Sequence, residues 1–310
     1  TDNAPLTKSG LRMLKDLANY DIIYVIDSSP FMLLPVLLFK GRARLIFGVH
    51  NPEVFRTKPH SNKLIKRLLF KIYRFITMQI ILHIPNIHVL NIADRNALEA
   101  QGYKGNLYLI PNFIYYNQAD IQIKIPPKFI VLFGGRLEIN QKGIDLLAEI
   151  IEKTLSKNKN IEFHIFGSGE GKKFIEPLIS KYPKNVYYLG FISNEKLKEE
   201  YENAMIYIMT SRYESFGLVV LEAQAFGLPV ITFDISGPNE IIKKSFQGSL
   251  IEPFDTNLFS EQILKYYDLW KSGNLNKNSK LKIRDYIFSQ YSGDIIIPKV
   301  EKMVRDYAEN

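Results

Sequence analysis

Apolar residues along this chain follow two alternating patterns. Short continuous apolar runs stand at 21–27, 44–50, 87–91, 103–110, 129–133, 161–166, 186–193, 205–210 and 230–233. Runs of this length and composition predict buried strands. Between them, apolar positions recur every three or four residues and predict helices over 1–20, 61–82, 93–101, 144–157, 172–182, 218–226, 257–270, 276–290 and 297–307. Leu11, Leu14, Leu17 and Ala18 would share the buried face of the first, and Val300, Met303 and Val304 that of the last. Residues 31–38 are apolar throughout and read as a helix or a buried segment. Strands alternating with helices predict parallel sheets, hence an α/β fold. In such sheets ligands bind beyond the C-terminal strand ends, where Asp27 and His50 stand.

The stretch 205–233 organises the rest. A strand runs into the turn Ser211-Arg-Tyr-Glu214, Ser215 is placed to cap a helix from Leu218, and Gly227 with Pro229 ends it before the next strand. Glu214 lies in the turn, and Glu222 eight positions on lies inside the apolar run 219–223. Eight residues of helical rise span roughly 12 Å. Taken singly, a Glu in a turn or a helix is ordinarily solvated. A carboxylate inside an apolar run costs several kcal/mol unless something binds it. The helix N-terminus between the two presents free N–H groups that favour an anion. A ligand that is anionic in its middle and hydroxyl-rich at both ends answers that description, as a nucleotide-sugar does.

Two glycine-rich turns accompany this stretch. The strand 129–133 runs into Gly134-Gly135-Arg136, with Lys142-Gly143 following before the next helix. Arg136 can fork onto a phosphate and Lys142 adds a point charge. The strand 161–166 runs into Gly167-Ser-Gly169-Glu-Gly171. That run fails the dinucleotide fingerprint, with Lys172 where Gly is required, and lacks the P-loop spacing.

Glu214 and Glu222 at this spacing, with Phe216-Gly217-Leu218 between and Gly227-Leu-Pro-Val after, resemble the signature of glycosyltransferase family 4, the retaining enzymes of GT-B fold. The resemblance runs from about residue 21 to the end and is strongest over 129–233. It implies two Rossmann-like parallel-sheet domains facing a cleft, the N-terminal one smaller or truncated. Their expected bounds are 1–122 for an acceptor-side domain and 123–292 for a donor-binding domain. The helix 293–310 would cross back to the first. It implies a retaining transferase moving a hexose-type sugar from a UDP- or GDP-linked donor to a glycan or lipid-linked acceptor. Arg136 and Lys142 would clamp the diphosphate, Glu214 would hold donor hydroxyls, Glu222 the ribose diol, and His50 would lie near the donor sugar. Gly135, Gly167, Phe191, Ile192, Ser215, Phe216, Gly217 and Leu218 would line the donor site. Phe113 replaces the Gly of the family's Pro-Asn-Gly turn. The family's opening strand, Gly-rich loop and helix should precede residue 21, so two or three elements are expected to be missing.

Charge and composition then narrow the picture. Residues 1–124 hold 16 of the 40 basic and 8 of the 32 acidic side chains, so the first part carries the whole net charge of +8. The pattern 61–82 places Lys63, Lys66, Arg67, Lys71 and Arg74 on one face and Leu64, Ile65, Leu68, Leu69, Ile72, Phe75 and Ile76 on the other. Such a helix can lie on an anionic membrane or pack on its own sheet. Residues 117–127 read as an interdomain linker. The chain has no Cys, which excludes disulfides and thiol chemistry. It has no Asp-x-Asp, so a metal-independent transfer with no cofactor is expected. No apolar run is long enough to span a bilayer. The expected location is cytoplasmic and peripheral to the membrane, with no nucleic-acid partner. The alternatives are a nucleotide-sugar-binding GT-B protein without transferase activity, another GT-B enzyme such as an epimerase, and a basic adaptor.

Overall fold

The computed structural model describes residues 16–26, 30–50 and 64–309. It divides into two compact units, residues 1–111 with 296–310, and residues 112–295. The reading of 1–15 as a helix, Asp27 and the start of the basic helix at 61–63 lie outside the described residues.

In the first unit, β1 (Ile22–Ile26), β2 (Arg44–Val49), β3 (Asn86–Val89) and β4 (Asn106–Leu109) form a parallel sheet in that order. The helices are α1 (Pro30–Phe39), α2 (Leu64–Leu82) and α3 (Ile92–Ala100). Leu45, Phe47, Ile87 and Val89 from the strands, with Leu33 and Ile81 from α1 and α2, make the core. β1 is an edge strand and is not wholly buried, because Tyr24 and Ile26 face out. Of the two readings of α2, packing of its apolar face on the sheet is not what is seen, since that face is largely outward: Ile65, Leu68, Leu69, Ile72, Phe75 and Ile76 are exposed, and Met78 and Ile81 are buried. Residues 296–309 of α11 (Gly293–Glu309) belong to this unit. Arg44 donates to the Tyr307 carbonyl, and the Leu45 N–H donates to the Tyr307 hydroxyl at 3.0 Å. Ile296 and Met303 face inward, whereas Val304, expected inward, points out.

The second unit holds a six-stranded parallel sheet, ordered β10-β9-β8-β5-β6-β7. Its strands are β5 (Phe129–Gly134), β6 (Ile161–Phe166), β7 (Val186–Gly190), β8 (Ile206–Met209), β9 (Val230–Phe233) and β10 (Gly248–Ile251). The helices are α4 (Ile144–Lys157), α5 (Lys172–Lys181), α6 (Asn194–Asn203), α7 (Leu218–Ala225), α8 (Pro238–Ile241), α9 (Thr256–Lys271) and α10 (Lys277–Tyr291). Phe129, Val131 and Phe133 of β5 and Phe163 and Ile165 of β6 are buried with Leu147, Ile151, Phe259 and Ile263 from the covering helices. β5 is central, flanked by β6 and β8. The strand order reverses there, so the loops after β5 and β8 diverge at a switch point suited to a ligand.

Candidate active site

The loops after β5, β6 and β7 are laced together by backbone. The Gly135 N–H donates to the Phe166 carbonyl at 3.3 Å, that of Leu137 to Ser168 at 2.8 Å, and that of Gly167 to Gly190 at 2.8 Å. Gly167 holds φ +121°, and a Cβ there would lie 1.8 Å from the Gly135 carbonyl oxygen. Only glycine allows the two turns to cross so closely. Gly135, Arg136, Gly167, Phe191 and Ile192 line one cavity of about 270 Å³ with Phe166, Ser168, Asn194 and Leu197. Phe191 is 89% exposed at its rim.

On the other side of β5, the loops after β5 and β8 meet. Lys142 donates to the Glu214 carboxylate, and the Ser211 hydroxyl donates to the same Glu214 oxygen at 2.8 Å. Both charged side chains are largely buried, at 16% and 10% exposure. Gly143 (φ +64°) brings the chain so close to β8 that a Cβ would lie 2.3 Å from the Thr210 carbonyl oxygen. The structure thus brings together the two residues expected at the diphosphate and at the sugar. Arg136 is exposed instead, donating to Gln141 at 2.5 Å and lying 3.7 Å from Glu138.

α7 begins differently from the sequence expectation. Gly217, at φ +88° in the left-handed region, occupies the N-cap position. Ser215, two residues earlier, does not occupy the N-cap position. The reason is local: Phe216 is buried, and Gly217 turns the chain tightly against Pro238. α7 opens at a glycine that has no side chain of its own, and the N–H groups of a helix's first turn suit an anion. Leu218 opens the helix and is half-buried.

Glu222 sits partly buried on α7, between the buried Leu221 and Ala223. The Tyr201 hydroxyl donates to it at 3.2 Å. Burial raises its pKa above the ordinary carboxylate value, with Tyr201 opposing. Burial first, and then the Glu222 charge, push up the pKa of Tyr116. For Tyr207 burial comes first, then Glu222, with Glu214 also contributing. Both carboxylates therefore act on Tyr207, whose hydroxyl bonds the Gly134 carbonyl at 2.9 Å under the glycine turn. Tyr116, Tyr201, Tyr207 and Ser211 were not singled out from the sequence. Tyrosine in a strand or helix signals packing, and only the fold shows a carboxylate beside it.

His50 lies in the first unit, at the C-terminal end of β2, with Tyr24 and His88. His88 Nε2 faces the Ile110 carbonyl at 2.6 Å and its Nδ1 faces the Tyr24 hydroxyl, which lies 3.4 Å from His50 Nε2. Burial, then the neighbouring His88, lower the His50 pKa to about 4.

Comparison with known proteins agrees with this architecture. Residues 117–282, just over half of the chain, match the family described as glycosyl transferases group 1. The chain is 30% identical over 220 residues to the poly(ribitol-phosphate) alpha-N-acetylglucosaminyltransferase of Staphylococcus aureus strain COL, covering 70% of this chain and 43% of that protein. It resembles a mutant of S. aureus TarM solved with Fondaparinux, alpha-GlcNAc-glycerol and UDP. That likeness has a TM-score of 0.73 at 26% identity, over 90% of this chain and 55% of that one. Anabaena HepE, solved with UDP and glucose, shows the same fold with a TM-score of 0.76 at 15% identity, over 98% of this chain and 83% of that one. The chain spans about half the length of the S. aureus relatives it matches. Its two parallel-sheet units are those of a GT-B protein.

Proposed function

The chain belongs to the glycosyl transferases of group 1, and on that footing we propose that it moves a hexose-type sugar from a nucleoside-diphosphate donor to a hydroxylated acceptor, with retention and without a metal. The observation that carries this reading is the meeting of Lys142 and Glu214 in the loops that lead into α7, whose N-cap position is held by Gly217. Transfer breaks the bond between the anomeric carbon and the diphosphate oxygen. Negative charge grows on the leaving diphosphate, and fixed positive groups lower the barrier. Lys142, Arg136 and the first N–H groups of α7 supply that charge. Glu214 accepts from donor hydroxyls and Glu222 from the ribose diol. The cavity at Phe191 and Ile192 takes the base.

A uridine diphosphate sugar is the first donor to try, since the TarM relative was solved with UDP and the S. aureus relative is an N-acetylglucosaminyltransferase. We assign donor binding to 123–292 and the acceptor side to 1–122 and 293–310, with His50 near the sugar. For the acceptor we propose a glycan or lipid-linked molecule met at the cytoplasmic face of an anionic membrane. The support is α2, which carries no acidic residue, exposes Lys71, and presents Ile65, Leu68, Ile72 and Phe75 outward. Among the described residues no helix is long and apolar enough to cross a membrane.

The test is turnover of UDP- and GDP-linked sugars in EDTA with glycan and lipid-linked acceptors, following nucleotide release and the anomeric configuration of the product by NMR. The expected result is retained configuration with one donor. Binding of a nucleotide-sugar without transfer to any acceptor would favour the binding-protein alternative, and inversion would overturn the retaining assignment.

A further inference from the structure

We propose that Arg212, clamped on Asp145, is the positioning residue that holds the Lys142 loop against Glu214. The inference rests on the donor-site reading given above. Arg212 follows β8 within the turn that carries Glu214 and would pass for a solvated surface cation. Its side chain instead folds across onto the loop after β5. Its guanidinium bonds Asp145 through two nitrogens, at 2.8 and 2.6 Å, and donates to the Ile139 carbonyl at 2.5 Å. Its own N–H donates to the Gln141 carbonyl at 2.7 Å. One residue earlier but one, the Thr210 hydroxyl donates to the Lys142 carbonyl at 2.9 Å.

These bonds fall on residues 139, 141, 142 and 145, so they bracket Lys142 on both sides. They fix the backbone of a loop that has no regular structure of its own between Gly134 and Ile144. The pairing also spans the switch point, joining the two loops that diverge from β5 and β8. Guanidinium geometry is required, because one planar fork must meet a carboxylate bidentately and a carbonyl together. Asp145 stands in the first turn of α4, where the helix end also favours its charge. Burial opposes ionisation of Asp145, but the Arg212 bonds and charge outweigh it and hold its pKa below the ordinary value. Asp145 therefore keeps helix N–H partners when Arg212 is removed, which makes the variant compatible with folding.

Arg212 acts through Lys142, and this gives a signature that loss of general stability would not. Arg212→Ala should weaken UDP binding about tenfold in the otherwise unchanged protein. In a Lys142→Ala background the same change should cost less than about twofold, because the residue it positions is gone. Arg212→Lys should recover part of the loss. Independent losses that multiply in the double variant would overturn the proposal. A second measurement does not depend on any nucleotide. Amide hydrogen exchange over 137–143 should speed up in Arg212→Ala and Asp145→Asn, while exchange in β5 and β8 stays as in the parent. Unchanged exchange over 137–143 would overturn the brace. If the parent binds no UDP or other nucleotide, the donor reading fails, and the exchange result still decides the brace.

Discussion

Lys142 and Glu214, 72 positions apart in sequence, are bonded to each other, with Ser211 completing the carboxylate's hydrogen bonds. The residue proposed to hold phosphate and the residue proposed to hold sugar thus pair with one another. A donor must insert its own charge and hydroxyls into that pair. Removing one partner of a largely buried pair leaves a charge without compensation and costs about 3 kcal/mol. Lys142→Ala and Glu214→Ala should each lower the urea midpoint by a comparable amount. The double variant should recover part of the loss. Strictly additive losses would mean that the two side chains do not pair in solution.

Glu222 sets stability against binding. Its folded pKa is raised by burial, so between the unfolded and folded values the native state binds more protons. Stability from this group therefore declines as pH rises through that window, and the cost of the buried charge is fully present above the folded value. Glu222→Gln should stabilise the ligand-free protein at pH 7 and weaken nucleotide binding, as read by urea unfolding and calorimetric titration. A variant that is destabilised and binds as before would contradict both halves.

Lys280 is fully buried on α10, donating to the Lys124 and Ala204 carbonyls at 3.0 Å each. Burial pulls its pKa down to about 7, against the opposing charge of Glu202. The unfolded chain binds the extra proton between about 7 and the ordinary lysine value of about 10.4, so stability should rise with pH there, by up to about 1.4 kcal/mol per pH unit. Melting temperature should climb from pH 7 to pH 9 in the parent and stay flatter in Lys280→Met. Parallel curves would show that Lys280 is not the group responsible.

The three rings of the first unit form a directional chain. A carbonyl can only accept, so His88 Nε2 carries a proton toward Ile110 and the neutral ring's Nδ1 accepts from Tyr24. The Tyr24 oxygen is then left to accept from His50 Nε2. Nitrogen NMR should find His50 neutral and Nε2-protonated down to about pH 5, consistent with a pKa of about 4. In Tyr24→Phe the Nδ1 tautomer should grow. A His50 that titrates near the free-histidine value, about 6.5, would break the chain.

Much of the fold is legible in the sequence. The β6 strand at 161–166 and the helix at 144–157 fall where apolar periodicity places them. The glycine turns and the two carboxylates were visible because each breaks a local pattern. Legibility stopped where neighbours decide. Gly-Ser-Leu-Ile at 248–251 carries no alternation, yet it pairs with β9 as a strand. The apolar face of α2 was readable as a face, but the side that the sheet occupies was not. Ser215 has the chemistry of a cap, and Gly217 takes the position because the turn needs a left-handed residue. Arg212 carries no signal in the sequence, since its partner lies 67 positions away.

Arg136, Lys142 and the start of α7 are proposed to bind a nucleoside diphosphate without metal. The most direct measurement is thermal stabilisation by UDP, GDP, ADP and their sugars in EDTA, repeated on Arg136→Ala and Lys142→Ala. A ligand that binds only the folded state raises the melting temperature. The predicted result is a rise with one base, kept in EDTA and reduced in both variants. A rise that vanishes in EDTA, or that both variants retain in full, would contradict the account.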